Sequence, residues 1–556
     1  MPEEILVITF TKAAAEEMRA RFHTLWNRSN CVEFGTFHSI FFQILRDSGV
    51  RASVLDEQTG RAVMTAFFEQ RLGLEREEAQ TKAEEFLCRR SRRINAGETA
   101  VQDNALDVAL YEDAVWYYEE EKKKRNCLDF DDMLLRTRAL LRTDSAALLK
   151  WQMRYEYILV DEFQDINPIQ YEIVKLLAAR MENLFAVGDD DQSIYGFRGA
   201  NPRCLLRFPQ DYPLCQIVRL TVNYRCREII VKAASSLIAY NSVRFEKTII
   251  ANRKGGAKIR LLVYGTEEEQ AESVARQVLR QHRENGVSFQ DMAILVRTQE
   301  QSRPLARALL EASIPYQCPG LAYSLYDHWI AKDLTAYLRL AADCRDLAAL
   351  RLIANRPERG IPGFLRGPSH STQGYSLQDW LEAEKLSYSL RAEVEELSYH
   401  LRKLQRMKPG KGLRYLWRAV GYGHFAYIYG GRHYVTRRHV RQIYRRLCLE
   451  ADACETLEDW LGRQRESGAS KRKEGIHIMT MHGAKGLEFQ SVWIPDMSEG
   501  ICPHEKAASV DAVEEERRLF YVAVTRARDD LWLSRTEKVE GLTRRASRFI
   551  ADLGSL

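Results

Sequence analysis

Ile158, Leu159 and Val160 form an apolar run that ends abruptly on two carboxylates, Asp161 and Glu162, within YILVDEFQD. No other feature of the chain constrains its fold as much. A short run of this kind between polar stretches reads as a buried parallel strand. Open α/β sheets place their ligands at the carboxyl ends of such strands. Two adjacent acids there are well placed for a metal ion and a water: Asp161 would hold Mg²⁺, directly or through water, and Glu162 would take a proton from an attacking water. The same residues also fit a helix start with acids in its first turn. The pair alone does not choose.

A second apolar run, Leu184-Phe185-Ala186-Val187, ends in GDDDQSIYGFRGA, Gly188 to Ala200. Two strand ends carrying acids and a glutamine make one phosphate-handling edge, which decides for the strand. Asp161-Glu162-Phe163-Gln164-Asp165 followed by Gly188-Asp189 through Gly199-Ala200 closely resembles the UvrD/Rep family of superfamily 1 DNA helicases. The resemblance runs nearly end to end. Ile5 to Met18 (ILVITFTKAAAEEM) resembles the family's first DNA-contacting motif, and Gly35 to Ser39 (GTFHS) the next. Leu220 to Arg225 (LTVNYR) and Leu295 to Arg303 (LVRTQEQSR) are similar to the opening of the second motor domain. Ile476 to Phe489 (IHIMTMHGAKGLEF) and Glu514 to Arg528 (EEERRLFYVAVTRAR) are similar to its closing motifs.

That resemblance implies an α/β fold of two RecA-like parallel-sheet motor domains, each with a mostly helical insertion. Residues 1–45 and 149–218 would form the first motor and 46–148 its insertion; 219–345 and 470–556 would form the second, with 346–469 inserted. Ile259 to Gly265, Met292 to Thr298 and Ser491 to Asp496 read as strands. The charged run Glu119 to Arg125 (EEEKKKR) reads as a solvated helix face carrying i,i+4 pairs. Arg437 to Leu447 (RRHVRQIYRRL) reads as a surface helix with snorkelling arginines, with a duplex contact as the alternative.

One family element is missing from the sequence. No stretch fits G-x-x-x-x-G-K-S/T, the loop whose amides and lysine cradle nucleotide phosphates. Lys408 to Leu413 (KPGKGL) and Asn252 to Lys258 (NRKGGAK) fail on spacing. In the family that loop precedes the block beginning here at Ile5. The expectation is a first sheet lacking its phosphate-loop strand, through truncation, a misassigned start or natural loss. That strand is expected to be central, so its absence would open a gap between two others.

At 556 residues the chain is too long for one ordinary domain. Hydrophobic content of 45% with 29% charged residues fits a globular protein, and no apolar run is long enough to span a bilayer. The eleven cysteines are scattered without zinc spacing, so reduced thiols and a cytoplasmic location are expected. A net charge of +5 is compatible with nucleic-acid binding but argues little for it.

The cofactors implied by the resemblance are ATP and Mg²⁺. Asp161 is then the metal-side acid, Glu162 the catalytic base, and Gln192 the sensor of the γ-phosphate. Arg225 and Arg526 approach as arginine fingers, Tyr224 stacks near adenine and Glu488 reaches the nucleotide. Arginine suits that task because its planar fork pairs two phosphate oxygens and stays charged.

The implied partner is single-stranded DNA, including single/double-strand junctions, with no membrane. Tracking a single strand without sequence preference needs aromatic platforms and phosphate contacts. Phe10, Phe37, Tyr195 and Phe197 are the candidate platforms; Thr9, Thr36, His38, Arg198, Arg297 and His482 are candidate phosphate or sugar contacts. The expected function is an ATP-dependent 3′-to-5′ DNA helicase whose present chain is deficient in hydrolysis. The rivals are a non-hydrolysing single-stranded-DNA-binding module and a helicase-nuclease subunit.

Overall fold

The computed structural model describes residues 2–26, 32–74, 76–96, 108–255, 258–318, 326, 328–361, 387–432, 437–462, 475–539 and 542–554. Two compact units divide the chain. The first comprises Met1–Val263, Met481–Glu488 and Ile494–Leu556; the second comprises Tyr264–Thr480 and Phe489–Trp493.

In the first unit, strands β1 (Ile5–Thr9), β2 (Glu33–Thr36), β3 (Tyr157–Val160) and β4 (Leu184–Ala186) form a parallel sheet ordered β2-β1-β3-β4. The run Ile158–Val160 is therefore an interior strand, with Ile8 opposite both Gly35 and Val160. Leu6, Ile8, Ile158 and Val160 join Phe37, Phe41, Ile173 and Val174, from helices Phe37–Asp47 and Pro168–Ala178, in one core. Burial on this scale is the main force holding such a sheet to its helices. Both helices begin with a reciprocal cap, Thr36 with Ser39 and Asn167 with Gln170, which satisfies their first free amides.

Among the described residues no gap separates these four strands. The four strands are hydrogen-bonded without interruption, so a further strand could add only at an outer edge. Among the described residues β4 is one such edge, and Phe185 on it is 61% exposed.

Helices Glu57–Leu72, Arg76–Ala96 and Val108–Lys124 pack through Phe67, Phe68, Phe86, Tyr111 and Tyr118 into a core of their own. The charged run at the end of the third helix departs from expectation. Lys123, Lys124 and Arg125 do pair with Glu120 and Glu121 on the surface. Lys122, however, is buried and bonds Asp129 at 3.1 Å and Asp132 at 2.7 Å. A cation surrounded by carboxylates can be buried where a lone one cannot.

The first unit also holds the parallel pair Val222–Arg227 and Ile250–Arg253, helix Val510–Val524 and strand Ala527–Thr536. In the second unit, β5 (Met292–Val296), β6 (Tyr316–Gln317), β7 (Ile476–Thr480) and β8 (Phe489–Ile494) follow the order β6-β7-β5-β8, again parallel. Every residue of β5 is buried, as a strand covered on both faces requires. Helices Trp329–Ala342, Tyr388–Leu404, Pro409–Arg418 and Arg437–Asp452 form a separate helical core around Leu334, Leu397, Leu416 and Val440. No described helix is long and apolar enough to cross a membrane.

Candidate active site

The carboxyl end of β3 builds the site. Asp161 N donates to Ile8 O at 2.9 Å, which holds the acid against the sheet. Burial, and then the neighbouring charge of Glu162, raise the Asp161 pKa. Glu162 adopts a left-handed conformation with φ 52°, a strain of about 1–3 kcal/mol for a residue with a side chain. The turn aims its carboxylate at Gln164, whose Nε2 donates to it. Gln164 Oε1 in turn accepts from Asp189 N at 2.9 Å, coupling the ends of β3 and β4.

Three further groups converge there. Gln192 donates to Asp189 at 2.8 Å and accepts from Arg526 Nη2 at 3.5 Å. Lys485 lies 3.5 Å from Glu162, pairs with Asp165 and donates to Gln192 O at 2.8 Å. Burial pushes the Asp165 carboxyl up to about 7, an effect Lys485 offsets only in part. Arg526 is 1% exposed, and its partners are neutral oxygens: Val522 O, Leu487 O, Thr525 Oγ1 and Gln192 Oε1. Burial, reinforced by the like charge of Arg225, pulls its pKa down to about 10.

Arg225 donates to Glu488 at 2.7 Å, and Arg528 approaches the same carboxylate at 3.5 Å. Burial opposes ionisation of Glu488, but these arginines hold its pKa below the usual carboxylate range. Tyr224, beside Arg225, is 71% exposed, a free ring face rather than a packed one. The geometry thus gathers Glu162, Gln192 and Arg526 directly and sets the Arg225–Glu488 pair nearby. Asp161 fits an Mg²⁺ held through one carboxylate, with waters and phosphate oxygens completing its shell. A buried guanidinium hydrogen-bonded to neutral oxygens fits an anion such as phosphate.

The DNA-side candidates divide. Phe10 stacks on Tyr195, with centroids 5.2 Å apart and planes at 12°. Tyr195 meets Phe197 at 6.0 Å, and Phe197 meets His482 edge-on at 5.4 Å. Four residues from three motif blocks therefore make one aromatic row. Lys485 Nζ lies 5.2 Å from the Tyr195 ring, so the same lysine touches both the row and the acid cluster.

Thr9 and Phe37 fall out of the surface set. Thr9 is fully buried with its hydroxyl donating to Thr11 O, and Phe37 is 2% exposed in the sheet's core. Thr36 caps its helix. His38 rests edge-on against Phe130, and burial lowers its pKa to about 4. The Arg198 side chain lies outside what the structure describes. Arg297 belongs to the second unit, where its amide donates to Gln301 Oε1 just beyond β5.

Lys485, Gln164 and Asp165 were missed as individual site residues, although each lies inside a motif block quoted above. Their signal was position: charged or polar groups flanked by residues that pack inward.

Sequence comparison places this geometry in a known group. Residues 1–213 match the UvrD/REP helicase N-terminal domain, and residues 218–409 and 454–538 match the UvrD-like helicase C-terminal domain. The chain belongs to the UvrD/Rep helicase family. It is 32% identical to the ATP-dependent DNA helicase PcrA of Staphylococcus aureus (strain MRSA252), over 96% of this chain and 77% of that protein. YjcD of Bacillus subtilis (strain 168) is 30% identical, over 99% of this chain and 75% of that protein. The mixed α/β architecture with parallel sheets is that of two RecA-like helicase domains.

Proposed function

We propose that this UvrD/Rep family member is an ATP-dependent helicase and translocase that moves 3′ to 5′ on single-stranded DNA and engages single/double-strand junctions. The observation that carries the reading is Arg526: a buried guanidinium without a carboxylate partner, beside Gln192 and the acids of β3. The γ-phosphate of ATP supplies the anion such a group needs. Glu162 takes the proton of the attacking water, while Arg526 and Arg225 pair the oxygens that gain charge. Mg²⁺, held by Asp161, neutralises phosphate charge when bound. Tyr224 offers its open face to adenine.

On the DNA side, Tyr195 and Phe197 offer stacking surfaces, with Phe10 and His482 supporting them and Thr36, His38, Arg198 and Arg297 as polar contacts. The domain bounds belong to the same reading: 1–45 with 149–218, and 219–345 with 470–556, as motors carrying the two insertions. Lys485 supports coupling between the two activities, because it joins the acid cluster to the Tyr195 ring.

For these 556 residues alone, which contain no G-x-x-x-x-G-K-S/T, the expectation is single-stranded-DNA binding with ATP hydrolysis near background. Fluorescence anisotropy with an oligonucleotide and a DNA-stimulated ATPase assay test both halves. Absence of DNA binding overturns the reading, and normal turnover overturns the requirement for the loop. A second reading, a non-hydrolysing DNA-binding module, rests on the same missing motif. It is favoured if extension through the upstream coding sequence restores no hydrolysis.

A further inference from the structure

Helix Val510–Val524 carries a carboxylate that the nucleotide site does not use. Glu515 Oε1 accepts from Gly196 N at 2.8 Å, and its carboxylate also accepts from the amide of Phe197. Burial raises the pKa of this acid, and the two amides together with Arg518 act against that rise. Gly196 is where the approach is closest: a Cβ there would sit 2.5 Å from Glu515 Oε2. Only glycine lets the carboxylate sit against the backbone at this point.

The gripped segment is the one that presents Tyr195 and Phe197. On its other flank, Arg92 Nε donates to Phe197 O at 3.2 Å. Cys88 Sγ approaches the same carbonyl at 3.9 Å, so Glu515 holds the amide side of a loop whose carbonyl side is held by Arg92 and Cys88. The same helix leads directly into Thr525 and Arg526. Eleven residues separate Glu515 from Arg526, roughly 16 Å of helix at 1.5 Å per residue.

We propose that Glu515 is a positioning residue for DNA, whose carboxylate clamps the Gly196 and Phe197 amides so that the aromatic pair faces unpaired bases. The helix that carries the clamp runs on through its cap Thr525 to Arg526, so clamp and guanidinium sit on one continuous segment. A shift of Arg526 toward phosphate then displaces the platform loop. A carboxylate suits two backbone amides because each of its oxygens can only accept, whereas half of an amide group is a donor that a backbone N–H repels. The proposal rests on the DNA-binding reading above, and its test separates the two.

Single-stranded-DNA affinity is measured by anisotropy for the wild-type chain, Glu515→Gln, Phe197→Ala and the double variant, each across a salt series. Glu515→Gln is expected to weaken binding about tenfold, within what loss of one stacked base would cause. The slope of affinity against salt should stay unchanged, because phosphate contacts set that slope and stacking does not. In the Phe197→Ala background the Glu515→Gln effect should largely disappear, because both changes remove the same stacking. Should Glu515→Gln fold poorly, Gly196→Ala displaces the carboxylate from the other side and gives the same readout. Wild-type affinity in Glu515→Gln, or fully additive losses in the double variant, overturns the clamp. No binding by the wild-type chain overturns the DNA reading instead.

Discussion

A motif block names residues, but it does not say which face of an element each one occupies. Thr9 and Phe37 show the cost of ignoring that. Phe37, Ile40, Phe41 and Ile44 recur at helical spacing and are all buried, a stripe that the letters alone display. Helix periodicity therefore held the correction for Phe37. The motif block named Arg526 but nothing local showed its surroundings, which include Gln192, 334 residues away. Its environment emerges only on folding. His38 makes the same point for pH. Its folded pKa of about 4 lies below the ordinary 6.5, so the folded state binds fewer protons than the unfolded state between those values. Its contribution to stability is thus complete above about pH 6.5 and is lost as pH falls toward 4. Urea unfolding across pH 4–7 should show this decline, and His38→Gln should remove part of it. An equal slope in both proteins would mean that His38 titrates normally.

Among elements, the strands were the most legible, because a covered parallel strand shows as an unbroken apolar run. Ile158–Val160 and Met292–Val296 are both of this kind. Helices Glu57–Leu72, Arg76–Ala96 and Val108–Lys124 were legible as helical sequence but not in their electrostatics. Arg90 is buried against Glu119, Asp129 and Asp131, and Lys122 shares Glu119 and Asp129 with it. Residues from three helices and the turn before one of them meet there, and burial raises the pKa of Asp131 and Asp132, with Asp129's charge adding to it. The cluster also reaches the active-site edge. Asn95 donates to Asp131 at 2.9 Å and accepts from Asn167, the cap of the helix that follows Asp165. Removing a cation from such a group leaves carboxylates buried without compensation. Arg90→Met should destabilise the chain by about 3–5 kcal/mol, in contrast to a surface ion pair at about 0–1 kcal/mol. The urea midpoint measures it, with Lys124→Met, at an exposed pair, as the comparison. Equal losses in the two variants would show that the cluster is no more than a solvated charge group.

At the scale of the whole chain, the sheet of the first unit leaves a consequence in solution. β4 ends the described sheet with the sequence Leu184-Phe185-Ala186, and no Lys, Pro or bulge interrupts it. An edge strand offers unpaired N–H and C=O groups, and apolar residues along it invite a second strand to pair. Phe185 is 61% exposed and Val187 43% exposed, so the apolar surface and the open backbone coincide. Scattered exposed hydrophobics are ordinary on a protein surface. Two of them along a free sheet edge amount to a pairing site. The 556-residue chain should therefore self-associate as its concentration rises, and Phe185→Lys should suppress that association. A surface substitution of this kind should move stability by no more than about 0.5 kcal/mol. Light scattering and sedimentation velocity on both proteins, with thermal unfolding as the control for folding, decide the matter. A wild-type chain that stays monomeric throughout would show that the β4 edge is already protected, and the argument from exposed Phe185 would fail.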